Sequence, residues 1–272
     1  MPYQKTAGIG DIEKTLFLPL WGRAVESQKD KPLLKDEKAV SIINQLAIDL
    51  SEAEENLDDL TRIAWIMRSL ICDQVIKEFI SKYPDATVVN IGCGLDTTFD
   101  RVDNGRLRWY DLDLPNVIEL RKLFIHEEER RTFVASSFLE NAWLDQVTVK
   151  SNVLFIAAGV VYYFEPEKIQ GFFREISDRF PDCEVIFDVA SELGVKIANK
   201  KVIESSGLDE RSYLIWGLRN VREILDWDPK IQLIRKYAYY RSSRLSLRNT
   251  LMGAVSDLLG IQYMLHLRLS AH

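Results

Sequence analysis

Two glycines one residue apart, closing an apolar run, constrain this chain more than any other feature. The run is Thr87-Val-Val-Asn-Ile-Gly-Cys-Gly-Leu-Asp-Thr97. Gly92 and Gly94 carry no Cβ, so a backbone that turns sharply there can lie directly against a ligand. About one βα unit later comes a second strand-like run, Trp109-Tyr-Asp-Leu-Asp-Leu-Pro115. An acid at the end of such a strand stands where it accepts hydrogen bonds from a ribose. Strand, glycine turn, helix and acid-tipped strand together read as a nucleoside-cofactor site on a mainly parallel sheet.

The flanking pattern agrees with that sheet. Leu60, Ala64, Met67, Ile71, Val75 and Phe79 recur at spacings of three and four and predict one face of a long helix. An earlier helix is expected over Lys35 to Leu50, with a turn near Ser51. From Tyr83-Pro84-Asp85 onward the texture becomes β-rich. Strands are expected at Thr87–Ile91, Leu107–Leu112, Thr132–Ala135, Val153–Ala157, Glu184–Val189, Ile231–Tyr240 and Tyr263–Leu269. Helical patterns at Asn116–Phe124 and Pro166–Arg179 lie between several of them, which implies crossover connections. A longer helical stretch is expected from Leu193 to Trp227, and another helix at Leu247–Leu259. The chain divides on this reading into a helical cap (1–83), a sheet core (84–192 and 228–272) and a helical lid (193–227), all within one domain.

Bulk properties exclude several classes. A net charge of -6 gives no basic face for nucleic acid. The cluster Arg235, Lys236, Arg241, Arg244 and Arg248 reads as a solvated surface. Cys72, Cys93 and Cys183 match no metal or CxxC spacing and suit a reduced interior, so no metal site is expected. The N-terminus has no apolar core of signal-peptide length, and no run approaches the ~18 apolar residues of a membrane span. A cytoplasmic location, with no membrane or nucleic-acid partner, is the expectation.

The glycine geometry then separates cofactors. A dinucleotide fingerprint, G-x-G-x-x-G, would need a third glycine for close helix–strand packing, and that position is Thr97. Asp113 lies 21 residues after Gly92, a spacing that both cofactor classes tolerate. S-adenosylmethionine has no pyrophosphate to seat on a helix N-terminus, so two glycines suffice for it. The pattern favours a methyltransferase over an NAD-dependent oxidoreductase.

Asn-Ile-Gly-Cys-Gly-Leu-Asp-Thr-Thr-Phe (90–99), Tyr-Asp-Leu-Asp-Leu-Pro (110–115) and Phe-Ile-Ala-Ala-Gly-Val-Val-Tyr-Tyr-Phe (155–164) resemble the leucine carboxyl methyltransferase family, which includes tetracenomycin-type polyketide carboxyl O-methyltransferases. Lys14-Thr-Leu-Phe-Leu-Pro-Leu-Trp-Gly-Arg-Ala24 resembles the N-terminal signature of its bacterial branch. The resemblance implies a class I methyltransferase fold, with a Rossmann-like seven-stranded sheet, mostly parallel, whose last strand is antiparallel. It implies S-adenosylmethionine as cofactor and S-adenosylhomocysteine as product. It places Gly92 and Gly94 beneath the cofactor, Asp113 rather than Asp111 on the ribose, and Arg68 on the cofactor's carboxylate. An arginine between Met67 and Ile71 also needs an anionic partner on its own account, and a carboxylate suits its planar fork. Near the adenine the chain has Ser137 and Phe138 where an aspartate is frequent. Ala158 stands where the eukaryotic protein-methylating members carry glutamate. Both departures point to a small-molecule acceptor rather than a protein C-terminus.

The acceptor itself is less legible. A carboxylate is ionised at neutral pH and needs no general base, whereas a phenol or alcohol does. His126 lies in a charged surface stretch, His266 alternates within the terminal strand and His272 is the last residue, so no catalytic base stands out. Tyr162 and Tyr163 follow the fourth strand, at the open end of the sheet. Trp21, Arg23 and Lys14 lie in the N-terminal helix that caps the cofactor in the family. All five are candidate acceptor contacts. Trp216 and Trp227 either roof the acceptor pocket or pack the lid to the sheet.

Overall fold

The computed structural model describes residues 11–46, 57–204, 210–240 and 245–270, the side chains of 11–15 and 211 excepted. Its centre is a seven-stranded sheet of β1 (Thr87–Ile91), β2 (Arg108–Asp113), β3 (Arg131–Ala135), β4 (Val153–Ala157), β5 (Cys183–Ala190), β6 (Ile231–Ala238) and β7 (Gln262–Leu269). The strand order is β3-β2-β1-β4-β5-β7-β6. β1 pairs in parallel with β2 on one side and β4 on the other, so the chain reverses its direction of travel across the sheet between β1 and β4. In open α/β sheets a ligand crevice forms at that switch point, beyond the carboxyl ends of the strands. β7 inserts between β5 and β6 and is antiparallel to both.

Alternation along β1 explains the two apolar layers. Val89 and Ile91 face a core with Phe155, Phe172, Phe173 and Phe187, while Val88 faces a second core with Trp109, Leu154, Ile156 and Met264. Strands covered on both faces read as continuous apolar runs, and β1 and β4 are buried throughout. The first layer is closed by α6 (Pro166–Arg179). The second is closed by α3 (Asp59–Lys82), which follows α1 (Asp11–Ser27) and α2 (Glu37–Gln45). Helix α3 buries more than the single expected stripe, because Ile63, Ile66, Cys72, Ile76 and Ile80 are buried as well. One side of it faces the sheet while another supports α1: a Cβ on Gly22 would stand 3.0 Å from the Trp65 ring. Of the expected helix at 35–50, Glu37–Gln45 is present, and residues 47–50 with the turn near Ser51 lie outside the described residues.

The remaining elements are α4 (Thr98–Val102), α5 (Pro115–Lys122), α7 (Glu192–Ala198), α8 (Arg222–Leu225) and α9 (Leu247–Leu258). The continuous helix expected from Leu193 to Trp227 is not what forms. α7 runs into a π turn at Asn199–Ile203, a 3-10 turn covers Glu210–Ser212, and the chain then crosses as an irregular strap to α8. At Gly217 the strap runs against the first turn of α7, where a Cβ would sit 2.6 Å from Glu192 Cα. Trp216 and Trp227 stack with ring centroids 5.6 Å apart, and Trp227 meets Phe173 of α6 edge-on. Both tryptophans therefore pack this segment to the sheet layer. Among the described residues no helix is long and apolar enough to cross a membrane. Arg235 and Lys236 lie exposed on edge strand β6 and Arg248 on α9, while Arg241 and Arg244 are outside the described residues.

Register between β5 and β7 is held by an ion cluster. Glu184 pairs directly across from Arg268. Its carboxylate accepts from Arg268 Nη2 at 2.8 Å and lies 2.8 Å from His266 Nε2. Burial alone would push the Glu184 carboxyl up, but the bonds from His266 and Arg268 outweigh it and hold the pKa below the ordinary value. A depressed folded-state pKa stabilises the fold above the unfolded pKa, and that contribution is lost as pH falls through the folded one. Glu184→Gln is therefore expected to lower the urea midpoint at pH 5, with the difference from the parent shrinking as pH falls below the ordinary glutamate pKa of about 4.3. Urea titrations at pH 5, 4 and 3 check this, and a difference that grows between pH 5 and 3 would contradict it.

Candidate functional site

The crevice beyond β1 and β4 gathers most of the residues expected there. β1 ends at Ile91, and the backbone takes positive φ at Gly92 (59°) and Gly94 (44°), where an L side chain is strained. Space forbids a side chain too. A Cβ on Gly92 would stand 2.5 Å from Val160 Cγ2, and one on Gly94 2.9 Å from Leu16 Cδ2. The turn is thus covered by Val160, three residues beyond β4, and by Leu16 of helix α1.

Asp113 closes β2 beside this turn. Its Oδ2 accepts the Gly94 N–H at 2.7 Å and its Oδ1 the Leu114 N–H at 2.8 Å. Each carboxylate oxygen retains a lone pair for a ligand hydroxyl. Burial raises the Asp113 pKa above the ordinary aspartate value, against the pull of those two amides and of Arg121. Asp111 has no such opening. It is fully buried and accepts from Trp109 Nε1 at 2.8 Å, Asn90 Nδ2 at 3.2 Å, Arg131 Nε at 2.8 Å and Arg121 Nη2 at 2.9 Å.

Arg121, which the sequence did not single out, is the residue that shapes the turn. From α5 it donates to Gly94 O at 2.7 Å and to Asp96 O at 2.9 Å, while its other partner is Asp111. A signal was present: Val117, Ile118 and Arg121 share one helix face, and an arginine on an apolar face must be paired or exit to solvent. Here its side chain is fully buried.

A second arginine network ties the caps to the same loop. Arg23 Nε donates to Asp36 Oδ2 at 3.0 Å and Nη2 to Leu95 O at 3.4 Å. Asp36 also N-caps α2 through Ala39 N–H and accepts from Thr97 Oγ1 and Arg101 Nη1. Arg101 in turn forks onto Asp73 of α3 at 2.8 and 2.9 Å. Asp96 sits among these cations. Burial pushes its carboxyl up, and Arg23, Arg101 and Arg121 outweigh that and hold it low. Arg23 is therefore a strut between α1, α2 and the glycine loop, which corrects its expected role at the acceptor. Trp21 is likewise buried, packed with Leu18 and Leu57 and reaching Val202 of the π turn. Its cluster joins α1 to the π turn. The Lys14 side chain lies outside the described residues.

After β4 the chain runs Ala158, Gly159, Val160, Val161, Tyr162, Tyr163. Ala158 is half-buried, and Gly159 takes φ 83° with the Arg68 guanidinium against it. Tyr162 is buried, its hydroxyl 3.3 Å from Arg68 Nη1 and its carbonyl accepting from Ile215 and Trp216 of the strap. The protein thus holds Tyr162 at its hydroxyl, which accepts from Arg68, and at its carbonyl. Tyr163 is half-buried, its phenol pushed up to about 12 by burial. Ile203, Leu214 and Tyr162 form a small apolar cluster beneath the strap. Arg68 reaches this region from α3, paired with Asp188 of β5.

Ser137 and Phe138 follow β3. Ser137 Oγ accepts from Leu139 N–H at 3.3 Å, and Phe138 meets Phe164 and Phe172 edge-on at 4.9 and 5.1 Å. A groove of about 430 Å³ between this loop and α6 is lined by Phe138, Trp143, Leu144, Lys168 and Phe172 among others. It shares only Phe138 with the crevice residues and is a separate feature. Among the described residues no group of three metal-ligating side chains comes together.

A glycine turn without room for side chains, an acid with spare lone pairs at the next strand end, and a cation across the crevice fit an adenosyl amino acid. The first offers backbone for close approach, the second a ribose partner, the third a carboxylate partner.

Comparison with known proteins agrees with this chemistry. The family model for leucine carboxyl methyltransferase matches residues 17–177. The chain is 25% identical over 244 residues to the tetracenomycin polyketide synthesis O-methyltransferase TcmP of Streptomyces glaucescens, covering 89% of this chain and 88% of that protein. It is 24% identical over 234 residues to the S-adenosyl-L-methionine-dependent methyltransferase dpfgK of Gibberella zeae, covering 78% and 77%. Among solved structures, a DUF574-family protein from Streptomyces avermitilis superposes with a TM-score of 0.60 at 11% identity, over 93% of this chain and 96% of that one. The plantazolicin methyltransferase BamL gives a TM-score of 0.52 at 10% identity, over 96% and 98%. The structural matches speak to the fold alone.

Proposed function

As the chain belongs to the leucine carboxyl methyltransferase family, we propose that this S-adenosylmethionine-dependent methyltransferase methylates an oxygen, a carboxylate, of a small-molecule acceptor. The observation that carries the cofactor half is the Gly92–Gly94 turn, with Asp113 accepting the Gly94 N–H at 2.7 Å beside it. The antiparallel β7 weighs against the oxidoreductase alternative, whose sheet would lack it. The likeness to an O-methyltransferase of polyketide synthesis supports a small organic acceptor.

When bound, the cofactor supplies an electrophilic methyl on a sulfonium, so the S–CH₃ bond breaks as the O–CH₃ bond forms. The protein's contribution is alignment and exclusion of water. Gly92 and Gly94 would bring backbone against the cofactor, Asp113 would hold its ribose and Arg68 its carboxylate. Leu16 of α1 lies over Gly94, and Leu214 of the strap packs with Ile203 and Tyr162 after β4. A carboxylate acceptor is supported by the state of the nearby groups. Burial raises the Tyr162 and Tyr163 phenols, so neither is a base at neutral pH. His266 is engaged with Glu184 within the β5–β7 pair, and His126 is exposed at the surface.

The test is transfer of a labelled methyl to a panel of aromatic carboxylic acids, the matching phenols and a peptide ending in leucine. Methyl esters release methanol in alkali and ethers do not. The expected result is alkali-labile product from the small acids, with a rate flat between about pH 6 and 9 because no proton is removed from the acceptor. Alkali-stable product, with a rate that climbs with pH, would overturn the carboxylate assignment, and labelling of the peptide alone would move it to a protein terminus.

A further inference from the structure

Arg68 is an arginine in the middle of an apolar helix, 9% exposed, and its charge needs support from somewhere other than α3. That support comes from β5, far away in sequence. Arg68 Nη1 donates to Asp188 Oδ2 at 3.1 Å, and Asp188 is fully buried. The same carboxylate oxygen accepts from Tyr239 Oη at 3.3 Å, in the segment following β6. Its other oxygen, Oδ1, accepts the Gly159 N–H at 2.6 Å. Asp188 thus holds both the guanidinium and the backbone on which that guanidinium lies. Contact between those two is close, because a Cβ on Gly159 would stand 2.7 Å from Arg68 Nη1, 3.2 Å from Cζ and 3.3 Å from Nη2. Burial works against the charge on Arg68, and Asp188 leads the neighbours that more than offset it, so the guanidinium stays ionised.

Asp188 and Tyr162 both meet Nη1, and Gly159 lies against Nη1, Cζ and Nη2, so together they hold the plane of the fork and the orientation of its remaining donors. We propose that Asp188, steadied by the Tyr239 hydroxyl, is a positioning residue that sets the Arg68 guanidinium to receive the carboxylate of the cofactor's amino-acid part. This rests on the cofactor reading above and on Arg68 as its carboxylate partner. Asp188 acts through Arg68 and touches no reacting atom. The arrangement resembles the outer partners that orient metal ligands, whose loss weakens binding without removing the ligand itself.

The experiment compares two probes that share the adenosyl thioether. S-adenosylhomocysteine carries the amino-acid carboxylate, and 5′-methylthioadenosine lacks the whole amino-acid part. Calorimetric affinities are measured for the parent, Asp188→Asn and Tyr239→Phe. Asparagine keeps the shape and can still accept the Gly159 N–H, but it brings no negative charge to Arg68. Asp188→Asn is expected to weaken S-adenosylhomocysteine by about tenfold to a hundredfold, the scale of a lost charged hydrogen bond, with methylthioadenosine unchanged within about threefold. Tyr239→Phe is expected to show the same selectivity at a smaller size, about threefold to tenfold.

Equal losses for both probes would mean that Asp188 only holds the fold, and undiminished S-adenosylhomocysteine binding would mean that Arg68 needs no help; either overturns the inference. If Asp188→Asn does not fold, Tyr239→Phe decides by the same criterion. A parent that binds both probes equally would remove Arg68 as the carboxylate partner, and the inference with it, while leaving the cofactor assignment standing. A parent that binds neither removes the cofactor assignment itself.

Discussion

Replacing Arg121 by methionine is expected to lower the unfolding free energy by roughly 3–5 kcal/mol, the range for removing one partner of a buried ion pair. The size follows from what the guanidinium holds. Arg121 and Asp111 are both fully buried, 2.9 Å apart. Methionine fills much of the volume but leaves Asp111 with one cation, Arg131, in place of two. It also leaves the Gly94 and Asp96 carbonyls without the donors that now meet them at 2.7 and 2.9 Å. An unpaired buried acceptor costs about 1–3 kcal/mol on its own. Urea denaturation at pH 7 measures the loss. A change within about 1 kcal/mol would mean that Arg131, Trp109 and Asn90 satisfy Asp111 without Arg121. Any folded fraction is expected to bind adenosyl ligands poorly, since the glycine turn loses its anchor.

Asp113→Asn is the second large effect, and it falls on binding. The two oxygens of Asp113 each accept a backbone N–H, from Gly94 and Leu114. An amide keeps at most one of those bonds and loses the charge that strengthens a ribose hydroxyl bond. Affinity for S-adenosylhomocysteine is expected to fall by about 1.5–3 kcal/mol, roughly tenfold to a hundredfold. A pH signature separates this from a folding defect. Burial raises the Asp113 pKa, so protonation begins above the range of an ordinary aspartate. Binding that needs the ionised form is therefore lost as pH falls toward that raised value. The parent's binding should weaken on acidification before an ordinary aspartate would titrate, and the asparagine variant should show much less of that change. Equal pH dependence in both proteins would remove Asp113 from the site.

Much of the sheet was legible because its central strands are continuous apolar runs. Thr87–Ile91 and Val153–Ala157 stand where the sequence places them, and so does the helix Pro166–Arg179. Outer elements were blurred by residues with two uses. Tyr239 and Tyr240 suit a strand, yet β6 stops at Ala238 and their amides turn to Asp257. The segment 193–227 has apolar residues at helical spacing, but its backbone amides bond elsewhere: Ile215 and Trp216 to Tyr162, Leu218 to Ala190. Those partners are distant in sequence, and periodicity carries no trace of them.

The site divides in the same way. Gly92, Gly94 and Asp113 are local in sequence, and motif spacing was enough to bring them together. Arg23 was read as an acceptor contact from its place in the N-terminal helix, whereas its partner, Asp36, announces itself in the sequence only as the N-cap of α2. Arg68 was recognisable as an arginine in need of an anion. Asp188, 120 residues on, was not, since an aspartate within β5 looks like any strand-end acid until the sheet brings it across.

The crevice at the β1–β4 switch point is expected to take an adenosyl amino acid. Calorimetric titration of the purified chain with S-adenosylhomocysteine, and separately with NAD, measures this. Saturable binding of S-adenosylhomocysteine at one site per chain, with no heat from NAD, is the predicted result. Binding of NAD with none of S-adenosylhomocysteine would contradict it.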